Sequence, residues 1–164
     1  MEIIIRNNSE FKKIYKNEIK KAVEYVLIQE ARSKNKIYKN FLKKVGIDNI
    51  AINLILTNDK EIKKYNKKYL GRNTPTDVIA FSMIEDSFIS PNNVVGDIII
   101  SLETVKKNGE IYKTGFKKEL LLVVIHGVLH LLGYEHPEGH YKLKDMQSQM
   151  REKEKKYLQN VLQR

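Results

Sequence analysis

Three of the chain's four histidines, His126, His130 and His136, fall in the run His-Gly-Val-Leu-His-Leu-Leu-Gly-Tyr-Glu-His. Residues four apart on an α-helix share a face, so His126 and His130 point the same way, one turn apart. Gly133 can then stop the helix in a left-handed conformation that residues with a β-carbon avoid. The reversed chain returns His136 toward the same point. Three converging imidazoles make a divalent metal site, with one tetrahedral position left for water, and an open position is the mark of a catalytic ion. The plain alternative is a set of core histidines. Against it, the helix Glu119–Leu132 is almost wholly apolar, and each unpaired imidazole buried there would cost roughly 1–3 kcal/mol. Zinc is the first expectation for neutral nitrogen donors and water, with nickel or copper as alternatives. His140, after Pro137-Glu138-Gly139, reads as a surface residue at the start of the next helix.

The same His-x3-His-x-x-Gly-x-x-His spacing occurs in metzincin proteases. Those enzymes place a glutamate directly after the first histidine as general base, worth about 10²–10⁴-fold. Here that position is Gly127, which disfavours peptide hydrolysis. A phosphodiester asks for something else: a lowered water pKa and neutralised phosphoryl charge, with a cation beside the site.

The elements that must position this motif can be read from periodicity. Glu2–Arg6 reads as a strand, and Ser9 as the cap of a helix with Phe11, Ile14, Ile19, Val23, Val26 and Leu27 on its apolar stripe. Ile37–Val45 is a second helix, stopped by Gly46. Asn49–Thr57 is a strand, and Asn58 or Asp59 caps a lysine-rich helix to about Tyr69. Leu70–Thr76 is a loop. Val78–Ser82 and Val95–Ser101 are strands, Ser101 caps a short helix broken by Gly109, and the histidine helix runs from Phe116. A final amphipathic helix covers Lys142–Leu162. The expected architecture is α+β: a small mixed sheet with helices packed on it around a central apolar helix, in one domain spanning residues 1–164.

Composition bounds the rest. At 41% hydrophobic and 30% charged residues, the chain is expected to be soluble and globular. Its start lacks the basic and apolar segments of a secretory signal, and Leu120–Leu132 is too short to span a bilayer. Cysteine is absent, which removes disulfides and thiolate metal sites and suits the cytoplasm. A net charge of +10 favours polyanions, nucleic acid first among them. The excess is mostly lysine, in pairs such as Lys63-Lys64 and Lys67-Lys68, and each pair taken alone reads as a solvated helix face.

Three segments together resemble the YbeY-type bacterial rRNA maturation factors, described as single-strand endoribonucleases. The first is His126–His136. The second is Asn66–Ser82, ending in Thr-Asp-Val-Ile-Ala-Phe-Ser, and the third is Gly96-Asp-Ile-Ile-Ile-Ser101. The resemblance implies a fold related to the metzincins, with one zinc ion on His126, His130 and His136. It also implies action on ribosomal RNA precursors, notably at the 16S 3′ end, and a part in ribosome quality control. The implied partners are the ribosome or its assembly factors, with no membrane and no DNA. Two positions depart from the family pattern. Glu135 replaces the usual aspartate, and Leu70 stands where an arginine thought to contact phosphate usually follows the tyrosine. Arg72, on a loop expected to be mobile, is the candidate to replace it, with an ordinary surface arginine as the alternative. Asp77 reads as a turn or capping residue. Three functions therefore compete: a metal-dependent endoribonuclease, a metal-stabilised but non-catalytic ribosome assembly factor, and a metallopeptidase.

Overall fold

The computed structural model describes residues 1–84, 93–134 and 143–163. Its four strands are β1 (Glu2–Asn7), β2 (Ala51–Thr57), β3 (Val78–Ser82) and β4 (Val94–Ser101). Its six helices are α1 (Lys16–Ala31), α2 (Lys36–Val45), α3 (Asp59–Leu70), α4 (Leu102–Ile111), α5 (Phe116–Leu131) and α6 (Leu143–Leu162). The sheet order is β1-β2-β4-β3, in which β1, β2 and β4 run parallel and β3 is the antiparallel edge strand.

Side chains alternate across the sheet. Ile52, Leu54 and Leu56 of β2, with Ile98 and Ile100 of β4, enter the main core beneath α1 and α5. Ile99 of β4 and Ile79 of β3 point the other way and meet Ile62 of α3. Helices therefore cover both faces. α5 is the central one, packing on α1, α4, α6, β3 and β4, and its buried residues include Leu120, Leu121, Val124, Ile125, Val128 and Leu129. Among the described residues no helix is long and apolar enough to cross a membrane.

Capping chemistry sets most boundaries. Asn35 and Asn58 accept hydrogen bonds from the backbone N–H three residues on, at 3.0 and 2.9 Å, and open α2 and α3. Gly46 and Gly71 close those helices at positive φ. Two expectations fail. Ser9 does not cap α1: its hydroxyl and N–H both bond Asn7 Oδ1, closing a polar turn, and the helix begins at Lys16. Phe11 leaves the expected stripe and stacks on Phe116 at 5.4 Å. Nor does Gly109 break α4. The helix passes through it because a β-carbon there would lie 3.1 Å from the Gly115 backbone, so glycine lets the turn into α5 fold back tightly.

Candidate functional site

The site is a groove between the edge strand and the central helix. α5 crosses β3 and β4 closely because Gly127 presents no side chain. A β-carbon there would fall 2.9 Å from Ile98 Cγ2 and 3.2 Å from Val78 Cγ2. Gly96 does the same for the strand pair, since its β-carbon would meet the Phe81 carbonyl oxygen at 2.3 Å. Ser82 Oγ then donates to the Leu131 carbonyl at 2.8 Å, tying β3 to the last turn of α5. A space of about 870 Å³ remains alongside, lined by residues that include Tyr69, Arg72, Asp77, Phe81, His126 and His130.

Where metzincins carry their glutamate, a β-carbon would press on Ile98 and Val78, so a residue larger than glycine at position 127 would have to push those side chains aside.

His126 and His130 occupy the groove side of α5 and are half-buried. They are therefore not the fully buried core histidines of the plain alternative. Their Nε2 atoms converge to 3.0 Å, with the rings edge to face at 4.5 Å between centroids. On the other side of the His126 ring, Nδ1 lies 2.7 Å from Glu154 Oε1, on α6. A carboxylate accepts, so the ring proton belongs on Nδ1 and the Nε2 lone pair is directed at His130. Gly133 stops the helix as its sequence position requires, at φ 87°, while the Tyr134 N–H reaches back to the Leu129 carbonyl at 3.1 Å. His136, Glu135 and His140 lie outside the described residues. Among the described residues, no group of three or more metal-donor side chains gathers.

One residue before Glu154, α6 anchors itself to a second carboxylate. Glu30 of α1 is fully buried. It accepts from Lys153 Nζ at 2.6 Å, from Tyr134 Oη at 2.7 Å and from Tyr157 Oη. Burial pushes the Glu30 carboxyl upward, but these donors outweigh it and hold it below the ordinary carboxylate value. Burial likewise works against the Lys153 ammonium, and the Glu30 charge more than reverses it. Tyr134 and Tyr157 are raised by burial first and by Glu30 second. Tyr134, three residues past the end of α5, is thereby tied to the buried carboxylate of α1.

The loop bearing Arg72 is held. The Arg72 N–H bonds the Asn66 carbonyl at 3.2 Å, and the buried Asn66 side chain donates to the Thr74 carbonyl at 2.8 Å. The expected mobile loop is instead an anchored one, with Arg72 on the groove lining. Leu70, at the family's arginine position, is 54% exposed. Asp77 accepts from the Val78 N–H at 2.8 Å and from Thr76 Oγ1 at 3.2 Å, which is the turn role its position suggested. Glu154 and the Glu30 cluster escaped the sequence reading because their partners lie 28 to 127 residues away.

The chain is similar to known proteins in sequence and in fold. The sequence model of the family Endoribonuclease YbeY matches residues 4–162. An Endoribonuclease YbeY from Petrotoga mobilis is 34% identical over 146 residues, covering 89% of this chain and 88% of its own. One from Syntrophus aciditrophicus is 38% identical over 138 residues, covering 83% and 76%. The solution structure of a Thermotoga maritima protein superposes with a TM-score of 0.54 at 32% identity, over 96% of this chain and 89% of that one. With a family match across nearly its whole length and a shared fold, this chain belongs to the Endoribonuclease YbeY family.

Proposed function

We propose that this protein is a metal-dependent endoribonuclease that cleaves single-stranded RNA in the groove between β3 and α5. Its substrates on this reading are ribosomal RNA precursors, including the 3′ end of 16S rRNA, and it serves ribosome maturation and quality control in the cytoplasm, in contact with the ribosome or its assembly factors. The observation that carries the reading is the convergence of two imidazole nitrogens, one oriented by a carboxylate, in a groove that also holds an arginine.

Both described histidines fit a divalent ion. Their Nε2 atoms lie 3.0 Å apart, close enough for both to reach one ion, and Glu154 holds the His126 tautomer whose Nε2 carries the lone pair, the usual arrangement behind a metal-binding imidazole. His126, His130 and His136 would hold the ion, zinc by preference and nickel or another divalent metal by the same donors. When bound, such an ion lowers the pKa of water toward about 7 and neutralises charge on a phosphoryl oxygen. The chain's own groups do the rest. Arg72 offers a planar fork of donors to a phosphate at the groove lining. Exposed Lys67 and Lys68 at the end of α3 add positive charge along the approach.

Purified protein is expected to cut single-stranded and ribosomal RNA precursors, and His130→Ala to lose both cutting and a one-to-one metal measured by elemental analysis. Equal cutting by the two proteins would sink the reading. A second reading keeps the metal for stability and the basic surface for ribosome docking. Exposed, apolar Leu70 favours it, because it supplies no cation where the family resemblance implies an arginine. A folded metal-site variant that fails to restore rRNA processing in cells excludes a purely docking role.

A further inference from the structure

We propose that Tyr69 is a stacking platform for an unpaired nucleobase, placed on the wall of the histidine groove; this rests on the RNA reading above. Tyr65 and Tyr69 sit four residues apart on α3, so both rings emerge on one face. Both are exposed, at 36% and 52%, and they lie nearly parallel, 13° apart with centroids at 6.3 Å. Phe81 of the edge strand meets the Tyr69 ring edge to face at 5.0 Å. Tyr69 is thus braced by its own helix and by the sheet, yet it is left out of the small apolar cluster beneath α3 that Phe81 packs against. A ring whose orientation is already set loses little freedom when a flat partner arrives.

The surroundings suit a nucleotide better than an apolar peptide side chain. Lys68 Nζ lies 4.9 Å from the Tyr69 ring centre, on a flexible stem that can turn to a phosphate once a base covers the ring. Arg72 lines the same groove, as do the two histidines. Aromatic faces for bases, interleaved with cations for the backbone, are how proteins hold single strands without reading sequence. Paired bases are already stacked on one another and offer no free face, so this subsite selects unpaired RNA.

The chain contains no tryptophan, so Tyr69→Trp places a single reporter at the position. In the full-length His130→Ala protein, which removes cutting, a single-stranded oligoribonucleotide is expected to quench that emission, and a duplex or an abasic strand of equal length is not. Tyr69→Ala should weaken binding of the base-bearing strand by about ten- to a hundred-fold, the worth of one stacked base. It should leave the abasic strand nearly unchanged, and Tyr69→Phe should restore most of the affinity. Equal weakening for both strands, or RNA binding with no change in tryptophan emission, overturns the stacking role and leaves the nuclease reading standing. Quenching by apolar peptide but not by RNA overturns both, as does a wild type that binds no RNA.

Discussion

Glu30 is held against α6 and Glu154 is carried by it, and the two carboxylates differ in what they touch. Glu30 is fully buried, takes three donors from α6 and the end of α5, and balances one ammonium. Glu154 keeps 13% of its side chain exposed and, among the described residues, pairs with the His126 ring. Lys153 and Glu154 are adjacent, so one turn of one helix serves both. The first carboxylate is saturated and inward, which makes it a structural anchor. The second, among the described residues, engages the His126 ring beside the groove, and on the proposed reading it orients that imidazole.

The largest effect expected from this contrast is on Glu30→Ala, which leaves Lys153, Tyr134 and Tyr157 without their acceptor in the interior. Thermal or denaturant unfolding should register a loss of about 3–5 kcal/mol, the typical cost of removing one member of a buried pair. Glu154→Ala should unfold nearly like wild type while metal affinity, read by competition with a chelator, falls about 10–100-fold. Partial recovery in Glu154→Gln would separate hydrogen bonding from charge. If Glu154→Ala instead proved as destabilising as Glu30→Ala, the division of roles would be wrong.

Acid should sharpen the comparison further. Because the folded protein holds the Glu30 carboxyl below its ordinary value, its stabilisation is complete above the unfolded carboxylate range and is lost as pH falls through the lowered folded value. The stability gap between wild type and Glu30→Gln, measured by denaturant titration, should therefore be widest near neutrality and shrink steadily in acid. A gap that grew in acid would contradict the sign. The smallest effect concerns Tyr38, whose buried hydroxyl has no hydrogen-bond partner among the described residues and whose ionisation is pushed up by burial and then by the Glu30 charge. Tyr38→Phe removes a polar atom with nothing to bond, so stability should rise by about 1 kcal/mol. A loss of that size would mean the hydroxyl is engaged after all.

What could be read from the sequence was local in origin. Strand alternation places Ile52, Leu54 and Leu56 on one face whatever covers them, and a His-x3-His pair must share a helix face. Asn58 before a lysine-rich run announces its own helix. Ser9 misled because a capping residue and a turn residue use the same hydroxyl, and only Asn7, two positions back, decided between them. Gly109 misled because a helix-weakening residue is tolerated where another segment must come close. The groove needed long-range facts. Arg72 reaches it through a loop pinned by Asn66, and Glu154 reaches His126 only because α6 lies along α5. No periodicity encodes such meetings.

The position of α6 has a consequence for biogenesis. Ribosomes deliver the chain from its first residue onward, and α6 follows every other described element. A nascent protein can therefore assemble its sheet and lay α5 across it while His126 still lacks its carboxylate and Glu30 its ammonium. Until those last turns dock, the groove would be emerging beside the ribosome without the carboxylate that orients its first imidazole.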